Sequence, residues 1–391
     1  MQNAVIVDAV RTPSAKGKPG GALAEMHPVD LAAHVLAVLL ERSGLESTQV
    51  DDVIMGCVSQ LRDQGSNIAR QAVLAAGFAE SVPAVTIDRQ CGSSQQAVSF
   101  AAQAVMAGAY DVVIAAGVES MSRVPLGSSA EGSVRADGMA RRYPDGLVGQ
   151  GVSAELVARR WDLSRERLDA YAAESHRRAV AAWDAGLFDS QVVPVPVGAG
   201  AFDRDETIRS GTTPEALAAL PPAFRTSELE QRFPELTWDI TAGNSSPLTD
   251  AASAVLIMSE EGAARLRLRP RARFHAFSAV GDDPLLMLTA PIPATRRVLE
   301  RAGLSLDDID VYEVNEAFAS VPLAWEAEFG ADPARLNPWG GAIALGHAVG
   351  ASGTRLLGTM LAYLEHTGGR YGLQTMCEGG GMANATIIER L

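Results

Sequence analysis

Four residues of this chain carry groups that could do covalent or proton-transfer chemistry. Cys91 lies in VTIDRQCGSSQQA, residues 85–97, between a strand-like run and a helix-like one. A cysteine at a helix start meets free N–H groups and the positive end of the helix dipole, and both favour the thiolate. Lowering its pKa by about two units from ~8.5 needs roughly 2.7 kcal/mol of differential stabilisation. Gly92, Ser93 and Ser94 let backbone donors come close to a ligand. The competing reading is a small buried packing residue. His347 stands in GGAIALGHAVGASG, where the glycines permit tight turns but fit neither a dinucleotide fingerprint nor a phosphate loop. Cys377 ends a strand and enters Gly379–Gly381, a turn whose N–H groups are of the kind that form an oxyanion hole. Asn315 in VNEAFA closes another strand and could equally be a turn or cap residue. Cys57 has no glycine turn or polar partner nearby in sequence and is assigned to the core.

Positioning these groups requires a scaffold, and an internal repeat supplies one. LERSGL at 40–45 matches LERAGL at 299–304, and in the same register VDDVIMGCV at 50–58 lies over IDVYEVNEA at 309–317. In the first copy Leu31, Val35, Val38 and Leu39 share a helical face that Gly44 terminates. Strand-like AVTID leads into the helical spacing of Ala97, Phe100, Ala101, Ala104 and Val105, ending at Gly108. The second copy repeats this through Leu356, Leu357, Met360, Leu361 and Leu364, and places His347 opposite Cys91. A duplicated α/β unit is therefore expected, with two helix N-termini meeting near a pseudo-twofold axis. Between the copies the spacing predicts one good helix, from an N-cap at Ser164 to Gly186, among long loops of the kind that wall a binding site.

Composition narrows the partners. With 391 residues the chain exceeds one hydrophobic core. A formal charge of −14 repels nucleic acid and anionic membrane surfaces. The three cysteines make neither a disulfide framework nor a zinc spacing, so no metal is expected. No secretory leader or 18-residue apolar span is present in the sequence, which predicts a soluble, cytoplasmic protein with reduced thiols.

CGSS, VNEAFA, NPWGGAIALGHAVGASG and CEGGG resemble the four signature blocks of the thiolase family, in order and across essentially the whole chain. The resemblance implies two duplicated βαβαβαββ halves in a five-layer αβαβα arrangement with an inserted loop domain. The corresponding boundaries are 1–117 for the first half (with 246–269 returning to it), 118–245 for the loop domain over the CoA/acyl site, and 270–391 for the second half. It implies that Cys91 carries the acyl group, that His347 activates it and that Cys377 is the acid/base at the α-carbon of acetyl-CoA. Asn315, through a water, would join His347 in one oxyanion hole; the N–H groups of Cys91 and Gly379 would form the other. Ser246 matches a pantetheine contact. Coenzyme A is then a co-substrate and no cofactor is held permanently. A homodimer or homotetramer is implied. Three positions depart from the family pattern: Ala348 replaces the proline after the histidine, Pro247 replaces a glycine, and Gln150 stands where a methionine usually lines the acyl pocket. The Gln150 variant, together with DRQCGSSQQA and GLQTMCEGGG, looks more like degradative thiolases, including those acting on steroid side chains, than like biosynthetic acetoacetyl-CoA thiolases. A papain-like protease would place its asparagine after the histidine and leave Cys377 idle. A non-catalytic acyl-CoA carrier would not need all four polar groups.

Overall fold

The computed structural model describes residues 2–391. Nine strands organise it: β1 (Ala4–Arg11), β2 (Asp52–Gly56), β3 (Ala84–Ile87), β4 (Val112–Ser120), β5 (Thr249–Ser259), β6 (Ala272–Gly281), β7 (Val311–Val314), β8 (Tyr371–Glu378) and β9 (Met382–Arg390). The first half orders its strands β3-β2-β4-β5-β1 and the second β7-β8-β9-β6. A short pairing of Val5 and Ile6 with Arg273 and Ala272 joins them into one hydrogen-bonded path. The helices that matter for the site are α1 (Pro28–Ser43), α2 (Ser93–Met106), α3 (Gln150–Arg160), α4 (Arg165–Asp184), α5 (Pro291–Ala302), α6 (Ser320–Phe329) and α7 (Ser352–Thr367).

Strand patterning explains the layering. In β1, Val5 and Val7 pack outward in the cluster containing Leu31, Val35 and Leu39 of α1, while Ala4 and Ile6 face inward. A bulge between Ile6 and Asp8 inverts the alternation, so Ala9 turns inward and Val10 outward. The inward cluster holds Ala97, Ala101 and Val105 of α2 with Leu357, Met360 and Leu361 of α7. These two helices therefore form a central layer between the two sets of strands. Val298 and Leu299 of α5 and Trp325 of α6 cover the far side with Tyr312, Leu373 and Ile387. The result is the five-layer αβαβα arrangement of the thiolase fold.

The duplicated unit is visible in detail. α1 and α5 both stop at a glycine in the left-handed region, Gly44 and Gly303, and each is followed by a capping-box turn and a strand. The copies differ at one point. The first half has β3 before Cys91, but before His347 only Leu336 bridges to Tyr312. Asn337 sits at φ 44° and Pro338 has no N–H, so the strand cannot extend. The Asn337 side chain substitutes for it: Oδ1 accepts from Val314 N at 2.9 Å and Nδ2 donates to Val314 O at 2.8 Å.

Residues 121–248 contribute no strand to the large sheet; their hairpin, Val195–Val197 with Gly200–Phe202, stands apart. The expected helix is there as α4, N-capped by Ser164. Sequence spacing missed α3, because GQGVSAELVARR has too few large apolar residues to mark a face. Among the described residues no helix is long and apolar enough to cross a membrane.

Candidate active site

The N-termini of α2 and α7 cross at very short range. A Cβ added to Gly353 would stand 2.1 Å from Gln95 N, and Thr354 N donates to Ser94 Oγ at 3.1 Å. Only glycine at 353 permits this approach, which brings the loop preceding α7 over the loop preceding α2. The two loops carry His347 and Cys91.

Cys91 is buried with Val58, Met121, Val349 and Met376. Val58, Met121 and Val349 also line a cavity of about 800 Å³, as do Gln90, Gln150 and His347. The expected thiolate-favouring setting is not what the resting structure provides. Burial pushes the Cys91 thiol up to about 12; the Gln150 amide, 3.9 Å from the sulfur, opposes the rise, and the Glu378 and Glu119 carboxyls add to it. The first N–H groups of the turn are already used: Gly92 N donates to Arg89 O at 3.2 Å and Ser93 N to Gln90 O at 3.0 Å. Desolvation outweighs what remains of the helix dipole, and Cys91 rests as a thiol.

His347 supplies a base of defined orientation. Its Nδ1 lies 2.7 Å from Ser352 Oγ, and that hydroxyl donates to Ala348 O at 2.9 Å. Ser352 Oγ is therefore the acceptor from Nδ1–H, which leaves Nε2 unprotonated, 3.3 Å from Asn315 Nδ2. Burial, assisted by the Arg355 cation, lowers the His347 pKa to about 3, so the ring is neutral. Removing Ser352 by substitution with alanine strips the ring of its tautomer-fixing partner. A buried N–H left without an acceptor costs about 1–3 kcal/mol. Ser352→Ala is accordingly expected to lower kcat/KM by roughly five- to a hundredfold and to lower the melting temperature by about a few degrees, measured by steady-state kinetics and thermal denaturation.

Cys377 is the penultimate residue of β8 and is buried in the cluster of Ala154, Val157, Ala317, Phe318 and Ile343. Its pKa is raised by burial and next by the neighbouring Cys91. Asn315 follows β7 directly, anchored by its N–H to Thr375 O at 3.0 Å; its Oδ1 is buried without a partner, free to accept from a water. Gly379 lies against Gln90 at the start of the glycine turn. Ser246 lines the cavity and donates both N–H and O–H to Ala317 O at 3.0 Å, leaving its Oγ lone pairs for a ligand. Cys57 is buried in the outer core as expected.

The three departures have local explanations. Ala348 packs with Ala251 and Ala351 while its carbonyl receives the Ser352 hydroxyl. Pro247 O accepts from Thr249 Oγ1 at 2.8 Å, and that oxygen accepts from His347 N at 2.9 Å. Gln150 begins α3 and puts an amide where it can reach the Cys91 sulfur.

Two buried carboxyls were not singled out from sequence. Glu119 accepts from Val58 N, Ser59 N, Gln64 Nε2 and Gly350 N, all within 3.0 Å, and so ties the cavity wall to the His347 loop. Glu316 accepts from Tyr171, Ser175, Asn337 and Ile343 N, fixing the segment after Asn315. Glu316 lies inside VNEAFA, where a charged residue beside buried ones was the available signal.

Comparison with known proteins bears directly on this arrangement. The family descriptions "Thiolase, N-terminal domain" and "Thiolase, C-terminal domain" match residues 4–261 and 268–390. The steroid 3-ketoacyl-CoA thiolase FadA6 of Mycobacterium tuberculosis is 50% identical over all of this chain and 95% of its own length. The 3-ketoacyl-CoA thiolase of Serratia proteamaculans is 43% identical over the full length of both chains. Among solved structures, the Bacillus anthracis acetyl-CoA acetyltransferase superposes with a TM-score of 0.88 at 37% identity, covering 100% of this chain and 99% of that one. With both domains matched end to end and the layered fold shared, this chain belongs to the thiolase family.

Proposed function

We propose that this chain is a degradative acyl-CoA thiolase, cleaving 3-oxoacyl-CoA with CoA to acetyl-CoA and a shortened acyl-CoA. The observation that carries the reading is the pair of neighbouring buried thiols, Cys91 and Cys377, packed behind residues of a cavity that His347 lines, where its neutral ring presents an unprotonated Nε2. Cleaving a carbon–carbon bond between two thioesters needs an acyl carrier and a separate acid/base for carbon.

In the proposed sequence Cys91 Sγ attacks the 3-oxo carbon while its proton passes to His347 Nε2. The resulting imidazolium and a water held by Asn315 stabilise the oxyanion. As the C2–C3 bond breaks, the acetyl-CoA enolate leaves and takes the Cys377 proton, with its own oxygen held by the N–H groups of Cys91 and Gly379. Incoming CoA gives its thiol proton to Cys377 and attacks the acyl group. Cys91 departs and recovers its proton from His347. Residues 118–245 act as the loop domain over the site, Ser246 contacts the pantetheine arm, and CoA is a co-substrate rather than a resident group.

The acyl group is bulky in this reading. The relative named for steroid substrates shares half its residues with this chain, and the cavity wall is largely apolar, with Leu126, Val152, Phe224 and Phe318. A short-chain, acetoacetyl-CoA reading is favoured by the resemblance to the acetyl-CoA acetyltransferase. A homo-oligomer is also proposed: β3 is a sheet edge, and Val85 on it and Phe100 on α2 are each 42% exposed.

The enzyme is expected to consume acetoacetyl-CoA plus CoA, followed by loss of enolate absorbance, with ping-pong kinetics. Across short, long and steroidal 3-oxoacyl-CoA substrates, kcat/KM is expected to be highest for the bulky ones. A maximum at acetoacetyl-CoA would support the short-chain reading, and no CoA-dependent cleavage of any of them would refute the function.

A further inference from the structure

We propose that Glu378 is a positioning residue whose charge sets how readily Cys91 ionises, so that the nucleophile is restrained as the medium becomes alkaline. The proposal rests on the acyl-transfer reading of Cys91. Glu378 ends β8, next to Cys377 and paired with Met382 of β9. Neighbouring strand residues face opposite sides. Cys377 joins the cluster under α3 and α6, and Glu378 turns the other way, onto the start of α2. A Cβ built on Gly92 would stand 2.0 Å from Glu378 Oε1, which puts the carboxyl directly on the helix N-cap beside Cys91.

The carboxyl is fully buried, and among the described residues neither of its oxygens has a hydrogen-bond partner. Asn384 of β9, also against Gly92, donates Nδ2 to Gly92 O at 3.0 Å and leaves its Oδ1 unpartnered. A purely structural side chain would not be an isolated acid there, since burying an unpaired carboxylate is costly and an amide or an alkyl group would cost less. Burial lifts Glu378 to about 8, with Arg89 opposing and Asp88 adding to the rise. The charged and titratable groups facing it are Asp88 and Arg89 from the turn before α2 and Cys91, with Cys377 next to it on the opposite face of its own strand. The first turn of α2 is Ser93 to Gln96, without charge. The second carboxyl that acts on Cys91 is Glu119 on β4, whose four donors hold it in place.

The sign follows. Below the Glu378 pKa the acid is neutral and the positive end of α2 acts on the sulfur without opposition from Glu378. Above it the carboxylate occupies the same helix end and repels a thiolate, so Cys91 ionises less readily.

The test is labelling of Cys91 by iodoacetamide in the full-length protein, quantified by peptide mass mapping from pH of about 6.5 to about 9.5. For the wild type, the logarithm of the rate should climb with pH, flatten near Glu378 ionisation, and resume about tenfold below the extrapolated line, one pKa unit of coupling. Glu378→Gln should climb without the flattening, so that the variant-to-wild-type ratio grows from near one to about ten. Parallel profiles would overturn the proposal, because a structural role would shift both arms alike. Should the variant fail to fold, a straight wild-type profile through the same range overturns it alone. A Cys91 that is fully labelled while acyl transfer persists would instead sink the functional reading and leave the charge coupling standing.

Discussion

Cys91→Ala is expected to abolish thiolysis, with kcat falling by at least about 10⁴-fold, roughly 5.4 kcal/mol of transition-state stabilisation. Loss of a covalent nucleophile removes the intermediate itself rather than one contact to it. The resting state makes the dependence sharper. His347 lies near 3 and Cys91 near 12, so across the intervening range the pair is a neutral imidazole and a neutral thiol. Ionisation must therefore occur within the encounter with substrate, when developing negative charge on the 3-oxo group stabilises the imidazolium. The acylation rate is accordingly expected to show no break from either group between pH values of about 5 and 9, apart from the carboxyl effect proposed for Glu378. Stopped-flow acylation by 3-oxoacyl-CoA, with mass detection of the acyl-protein, checks both statements. A Cys91→Ala protein that still forms an acyl adduct at Cys377 or elsewhere and turns over at more than a few per cent of the wild-type rate contradicts the assignment.

The sequence made the scaffold legible because its repeat is written in helix stops and strand starts. Gly44 and Gly303 end α1 and α5 in the same left-handed conformation, and the strands after them are short apolar runs. What it hid was set by tertiary contact. α3 has a small-residue face because Gly151 must admit the Phe224 ring, 2.2 Å from where a Cβ would sit, so apolar periodicity could not reveal it. The missing strand before His347 depends on Asn337 replacing backbone pairing with its side chain, which no local pattern announces.

The site divides in the same way. Cys91, His347 and Cys377 were visible as reactive groups beside glycine turns, and Asn315 as a polar residue closing a strand, but their electrostatics were not. A helix start suggested a thiolate, whereas burial and two carboxyls produce a thiol. Glu119 and Glu316 hold loops distant in sequence, so their importance appears only once the loops are together, and Ser352 is seen to orient His347 only once its own turn is folded. Local sequence thus marks the candidate reacting atoms, and folding decides their resting protonation.

Cys377→Ala separates the two halves of the proposed chemistry. The variant retains Cys91, His347, Asn315 and the Ser352 bond that fixes the imidazole, so transfer of an acyl group from a simple acyl-CoA to Cys91 should proceed within about tenfold of wild type. Carbon–carbon cleavage should fall by about 10²–10⁴-fold, the usual contribution of a positioned general acid. The enolate of acetyl-CoA would have to leave unprotonated in a buried site where Cys377 is the neighbouring thiol. Removing a buried sulfur from the cluster of Ala154, Ala317 and Ile343 leaves only a small void, because cysteine and alanine differ by one atom, so the fold should persist. Mass spectrometry of the acyl-protein after mixing with acyl-CoA, alongside thiolysis of 3-oxoacyl-CoA, reads the two activities independently. Equal loss of both would place Cys377 in the acyl-transfer step or in the fold. Equal retention would remove it from the mechanism and return it to the core, where its burial alone would account for it.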